Sequence, residues 1–161
     1  MLVISTMLSG LLINWLDVLG LFLMLSGFVI GLGAVTVIDI HGFLGRTSGY
    51  WTEATTRTHK VTKPMIWVGI ALAIVGGLLL YRDSSFSGIP LIHSVAAGTL
   101  ILNGLFLSFK VSPFLVEREK QGKSAELIPT SWQQKIAVSL IVSDTLWWGS
   151  LFLLVIYVLE T

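Results

Sequence analysis

Across residues 2–40 only two side chains are ionisable, Asp17 and Asp39. A soluble fold cannot hide so long an apolar run. A bilayer accepts one as a helix of about 20 residues spanning roughly 30 Å of hydrocarbon. The run is too long for one span, and the polar break Asn14-Trp15-Leu16-Asp17 divides it. The first span is therefore read as 17–40. Residues 2–13 form a short apolar N-terminal arm lying in the interface, because about 12 residues at 1.5 Å each reach only about 18 Å. A signal peptide is the competing reading, disfavoured by the lack of a positively charged leader segment.

The remaining sequence repeats the pattern. Spans are expected at 64–81, 90–109 and 136–159. Pro64 and Pro90 open two of them in the first helical turn, where a missing N–H costs nothing. Trp132 and Tyr157 sit at interface depth around the last. With 54% hydrophobic and 12% charged residues, against about 25% charged in soluble domains, the whole chain 1–161 reads as one membrane domain. The fold class is all-α: a polytopic four-transmembrane-helix bundle. A net charge of +1 with no basic, aromatic-interleaved stripe argues against nucleic acid as a partner. The absence of cysteine excludes disulfides, thiolate metal sites and thiol redox relays.

Nine of the ten cations fall in or beside the connections 41–63 and 110–135, and only Arg82 lies in 82–89. The positive-inside rule then makes the first and third connections cytoplasmic and puts both termini outside. Small residues recur at helical spacing: Gly20, Gly27, Gly31, Gly33 and Ala34 on span one, Gly69, Ala73 and Gly77 on span two, Ser94 and Gly98 on span three. Such stripes allow close helix approach in lipid. They serve either packing within the bundle or a homo-oligomer or other membrane-protein partner.

An ionisable residue inside a span is a functional candidate, since a lone charge at mid-helix costs about 2.5 to 3.5 kcal/mol even on the lenient insertion scale. Asp144 is the clearest case. Asn103 lies at comparable depth on span three, and Thr36 and Ser143 are placed to join them, giving an intramembrane polar site suited to a proton or cation relay or to interhelical hydrogen bonding. At the cytoplasmic rim stand Asp39, His41 and His59. Imidazole and carboxylate suit a divalent metal, but on a continuous helix Asp39 and His41 are about 200° apart and chelate together only if the helix ends by Ile40. At the outer rim Asp17 and His93 are candidates for a carboxylate–imidazole pair. Haem b needs two histidines at one depth on different helices, and the three histidines of this chain do not offer that without a loop folding back. No cofactor is predicted; haem b and a divalent metal remain the alternatives.

The stretch Gly31-Leu32-Gly33-Ala34-Val35-Thr36-Val37-Ile38-Asp39, with Gly42-Phe43-Leu44-Gly45-Arg46 and His59-Lys60-Val61-Thr62-Lys63-Pro64, resembles small bacterial four-helix integral membrane proteins of uncharacterised role and, more loosely, the copper-resistance CopD-type membrane domains. The likeness covers the first half of the chain. It implies a multi-pass protein of the bacterial inner (cytoplasmic) membrane. Copper handling does not carry over, because soft Cu(I) calls for cysteine or clustered methionine.

No phosphate loop, nucleophile triad or paired-glutamate metal motif is present, so the sequence assigns no enzymatic reaction. The leading expectation is a proton- or cation-responsive transport or accessory subunit using the Asp/Asn site. A haem- or metal-binding electron-transfer subunit and a purely structural membrane protein are the alternatives.

Overall fold

The computed structural model describes residues 14–160; the expected arm at 2–13 lies outside them. Within this range every regular element is helical: α1 (Trp15–Leu44), α2 (Gly49–Leu80), α3 (Gly88–Phe106), a π turn (Leu107–Val111), α4 (Ser112–Lys120) and α5 (Thr130–Glu160). Helix α3, the π turn and α4 run on as one rod, Gly88–Lys120. The chain thus makes four rods, each long and apolar enough to cross a membrane. The all-α, four-helix architecture is as expected.

The connections are much shorter than the sequence suggested. Residues 41–63, expected as a polar loop, continue α1 to Leu44 and then begin α2 at Gly49. The threonines explain how. Thr55, Thr56 and Thr62 each donate to the carbonyl four residues back, at 2.7, 3.2 and 3.1 Å, so hydroxyls that read as loop polarity are satisfied by their own helix. Thr52 does the same to Ser48 and also reaches the Gly45 carbonyl at 2.7 Å, fastening the turn between α1 and α2. Pro64, expected at the first turn of a span, instead lies inside α2.

Residues 110–120, read as the start of the third connection, are likewise helical. Here Pro113 has no N–H to offer, and the preceding turn widens so that the Ser112 N–H bonds the Leu107 carbonyl five residues back. This π turn keeps the rod continuous past the proline. Gly122, at φ +72°, ends the rod in the left-handed conformation that glycine tolerates. The Arg118 guanidinium then gathers the remaining connection by donating to the carbonyls of Lys123, Glu126 and Leu127. Phe114 stacks on Trp132 at 4.2 Å between ring centres, and Lys60 pairs with Glu119 at 2.7 Å.

Helices α1 and α2 pack along their small residues. A Cβ added at Gly27 would lie 2.6 Å from the Ala73 nitrogen and the Gly69 carbonyl, and one at Gly69 would lie 2.5 Å from the Gly31 Cα. Backbone thus meets backbone, the contact that small residues make possible where lipid supplies no hydrophobic drive between helices. Gly76 takes the place in this seam expected of Gly77. By contrast Gly33, Gly98 and Gly149 have open space where a side chain would go. The core proper is Met24, Phe28, Leu32, Val35, Ile70, Leu100, Trp147 and Leu154. Large apolar side chains such as Phe22, Val29, Leu102 and Phe152 cover the outer faces, as a lipid-facing surface requires.

Candidate functional site

Near the cation-rich end, the four rods enclose a cavity of about 390 Å³. All four rods bring polar side chains to its lining, among them Asp39 from α1, His59 from α2, Asn103 from α3 and Asp144 from α5. The rest of the wall is largely aliphatic, with Trp147 closing the deep end.

Asp39 is the central finding. The sequence placed it at a rim, on the premise that the helix ends nearby. Because α1 runs on to Leu44, Asp39 is instead an internal helical residue, 9% exposed. Among the described residues its carboxyl oxygens meet no N–H or hydroxyl donor, and their one polar neighbour is the carboxyl of Asp144. The Asp144 carboxyl lies across the cavity, near enough to interact with it electrostatically. Two carboxyls facing each other between apolar walls can hold a proton between them or share a cation, and as bare anions they repel.

Asn103 and Asp144 line the same cavity, but the amide is tied elsewhere. Asn103 Nδ2 donates to the Ser139 carbonyl at 3.0 Å, and Ser139 Oγ donates back to Asn103 Oδ1 at 2.6 Å. This reciprocal pair fixes α3 to α5 five residues before Asp144 and holds the cavity wall in register. Ser143 is buried and lines the cavity. Thr36 is half-buried on α1 and does not reach it.

His59, expected in a solvated loop beside Lys60 and Lys63, turns into the cavity with its Nε2 buried and unpartnered among the described residues. A signal for this was present. Thr52, Thr55, His59, Ile66 and Ile70 follow one helical face, and all five line the cavity. Reading the face backward from the apolar end would have carried the helix through the threonines. His41 points away, its Nδ1 3.1 Å from Thr58 Oγ1 and its ring against Trp51. With α1 unbroken, Asp39 and His41 lie on different faces and do not chelate together. Among the described residues no three His, Cys, Asp or Glu side chains converge as metal ligands.

The expected pairing of Asp17 with His93 is not made either. Asp17 meets Arg82 at 2.5 Å, and Arg82 also reaches Asp83 at 3.0 Å. The guanidinium, two residues beyond the end of α2, outcompetes an imidazole lying deeper in the bundle. His93 is buried and bridges two other groups: Tyr81 Oη at 2.7 Å from Nδ1 and the Ser150 carbonyl at 2.8 Å from Nε2. A carbonyl only accepts, so Nε2 carries the proton and Nδ1 accepts from the phenol. The phenol O–H is thus the donor to Nδ1. Both ring nitrogens of His93 are thereby engaged. This network borders a second cavity of about 480 Å³ at the Arg82 end. Ile70, Leu100 and Trp147 line both cavities and form the wall between them.

Of two further contributors to the site, Ser139 and Trp147, the first was not singled out from the sequence. Both belong to the buried face of α5, with Ser139, Ser143, Trp147, Ser150 and Leu154 at successive steps of four, four, three and four. The serines alone trace that face on an otherwise apolar helix. Comparison of the chain with protein-family models, with curated proteins and with solved structures finds no match.

Proposed function

We propose that this is a multi-pass protein of the bacterial inner membrane in which Asp39 and Asp144 form a proton- or cation-responsive site, acting in transport directly or as an accessory subunit of a transporting assembly. The observation that carries this reading is the Asp39 carboxyl, buried at a cavity with no N–H or hydroxyl donor and only a second carboxyl, that of Asp144, beside it. A purely structural polar contact in lipid satisfies its own groups, as Asn103 and Ser139 do. A buried carboxyl met only by another carboxyl costs stability whenever both are ionised, which a role in taking up and releasing charge accounts for.

Infrared difference spectra recorded across a pH titration test the reading directly. Wild-type protein is expected to show a protonated-carboxyl C=O band that disappears as pH rises, and Asp39→Asn and Asp144→Asn are each expected to change it. Ion flux in proteoliposomes should fall to the level of empty vesicles in both variants if the protein transports by itself. A spectrum without a titrating carboxyl band, or one unchanged in both variants, removes the site from the function.

The orientation that accompanies this reading puts the carboxyl cavity on the cytoplasmic side, following the nine cations around it. Reporter fusions after Lys123 are expected to be active in the cytoplasm, and fusions after Gly88 outside it. The reverse pattern would invert the topology.

A further inference from the structure

We infer that the occupant of the carboxyl cavity is a monovalent lipophilic organic cation, which enters in exchange for a carboxyl proton. The inference rests on the charge-responsive reading of Asp39 and Asp144 and names the class of ligand. Three features of the cavity point to it. The first is volume: about 390 Å³ falls in the range that accepts a drug-sized molecule and far exceeds a bare metal ion. The second is the donor set. A dehydrated inorganic cation needs a close shell of several oxygens, but the Asn103 amide is already committed to Ser139, and the hydroxyls of Thr52 and Thr55 are turned to backbone carbonyls. The two carboxyls remain, with the Ser143 hydroxyl and the His59 imidazole in the lining, but among the described residues no three His, Cys, Asp or Glu side chains converge as a shell, an arrangement that neutralises a diffuse cation and does not encage a small one. The third is the rest of the wall, mostly aliphatic, with the Phe43 and Trp147 rings in it. Such a surface suits an organic cation's apolar body, and the indole face attracts its charge.

The other charged or titratable groups at the cavity do not compete for the carboxyls. His59 faces in from α2 with Lys63 beside it, and Arg46 stands at the rim beyond α1; neither His59 nor Arg46 is hydrogen-bonded to Asp39 or Asp144. Because Asp39 is nine-tenths buried, meets no donor but the Asp144 carboxyl and is part of the lining, the carboxyl pair is left for a cation to meet. Charge balances in the exchange: one cation enters, one carboxyl O–H bond breaks, and that proton leaves to water at the cation-rich mouth. A lipophilic anion would face two carboxyls, and a neutral apolar molecule would leave the carboxyl pair without a counter-charge.

The test is calorimetric titration of the purified full-length protein with tetraphenylphosphonium in weakly buffered detergent, with proton release followed by a pH indicator. Saturable binding with about one proton released per cation is expected, weakening about tenfold for each unit by which pH is lowered within the range where the exchanging proton is bound. Proton release should vanish in Asp39→Asn. If that variant does not fold, the pH dependence of the wild type and the variant Asp144→Asn decide the matter. Binding that is independent of pH, or unchanged in the foldable variants, overturns the inference by exposing simple partition into apolar surface. Proton release on adding sodium or potassium chloride, but none with tetraphenylphosphonium, also overturns it while leaving the charge-responsive site intact.

Discussion

Gly69→Val is expected to separate α1 from α2 and to leave little folded protein. The added side chain would enter space held by the Gly31 Cα and nitrogen, at 2.5 and 2.6 Å from the Cβ position, and by the Gly27 carbonyl at 2.9 Å. These are backbone atoms, so no rotamer change relieves the clash; the helices must move apart along the seam that joins them most closely. Overpacking of a fitted interior costs about 1 to 3 kcal/mol and sometimes more, and a backbone-to-backbone contact belongs at the upper end. Gly33→Val is the control, since the same change there meets open space and carries only the helix-propensity difference. Thermal unfolding in detergent, followed by loss of monodisperse protein, reads the effect. Equal stability of the two variants would show that the glycine seam does not hold the bundle.

Trp147→Ala is expected to cost about 3 kcal/mol or more, the usual result of emptying a large aromatic site. Trp147 is 1% exposed, packs edge-on to Phe28 with ring centres 5.8 Å apart, and lies over Gly31, where no side chain could be accommodated. Since its ring is part of the wall between the two cavities, the truncation also joins them, and faster backbone hydrogen exchange in the middle of α3 and α5 should accompany the lost stability. Trp147→Phe should lose much less. It keeps an aromatic ring and removes an indole N–H that is buried without a partner among the described residues, which offsets part of the lost volume. If Trp147→Phe proved as damaging as Trp147→Ala, the indole N–H would hold a partner in the membrane that the packing argument omits.

The number of helices and their approximate positions were legible because lipid imposes length and apolarity on any spanning segment. Helix ends were less legible. Polar residues next to a span read as loop, yet the threonines of α2 bond their own backbone and the π turn before α4 carries the chain past Pro113, so both rods extend toward the cation-rich end. This error had a functional consequence. Ending α1 near Ile40 made Asp39 a rim residue, and treating 41–63 as a loop made His59 a solvated one. Extending both helices brings the two side chains into the bundle beside Asp144.

Pairings were the least legible, because they depend on competition in space. Arg82 takes Asp17, Tyr81 and Ser150 take His93, and Ser139 takes Asn103. In each case the partner is a group whose position along its own helix says nothing of which neighbour it faces.

Sequence alone determined that the chain forms four membrane-length helices, gathers its cations at one end, and keeps Asp144 among the few charges within them. It could not determine which faces meet. In a soluble helix the apolar stripe points inward, but here lipid-facing and core-facing residues are equally apolar, so hydrophobic periodicity does not distinguish inside from outside. The tertiary structure decided this through close approach: glycines set α1 against α2, the Asn103–Ser139 pair sets α3 against α5, and these two registers bring Asp39 and Asp144 to a single cavity.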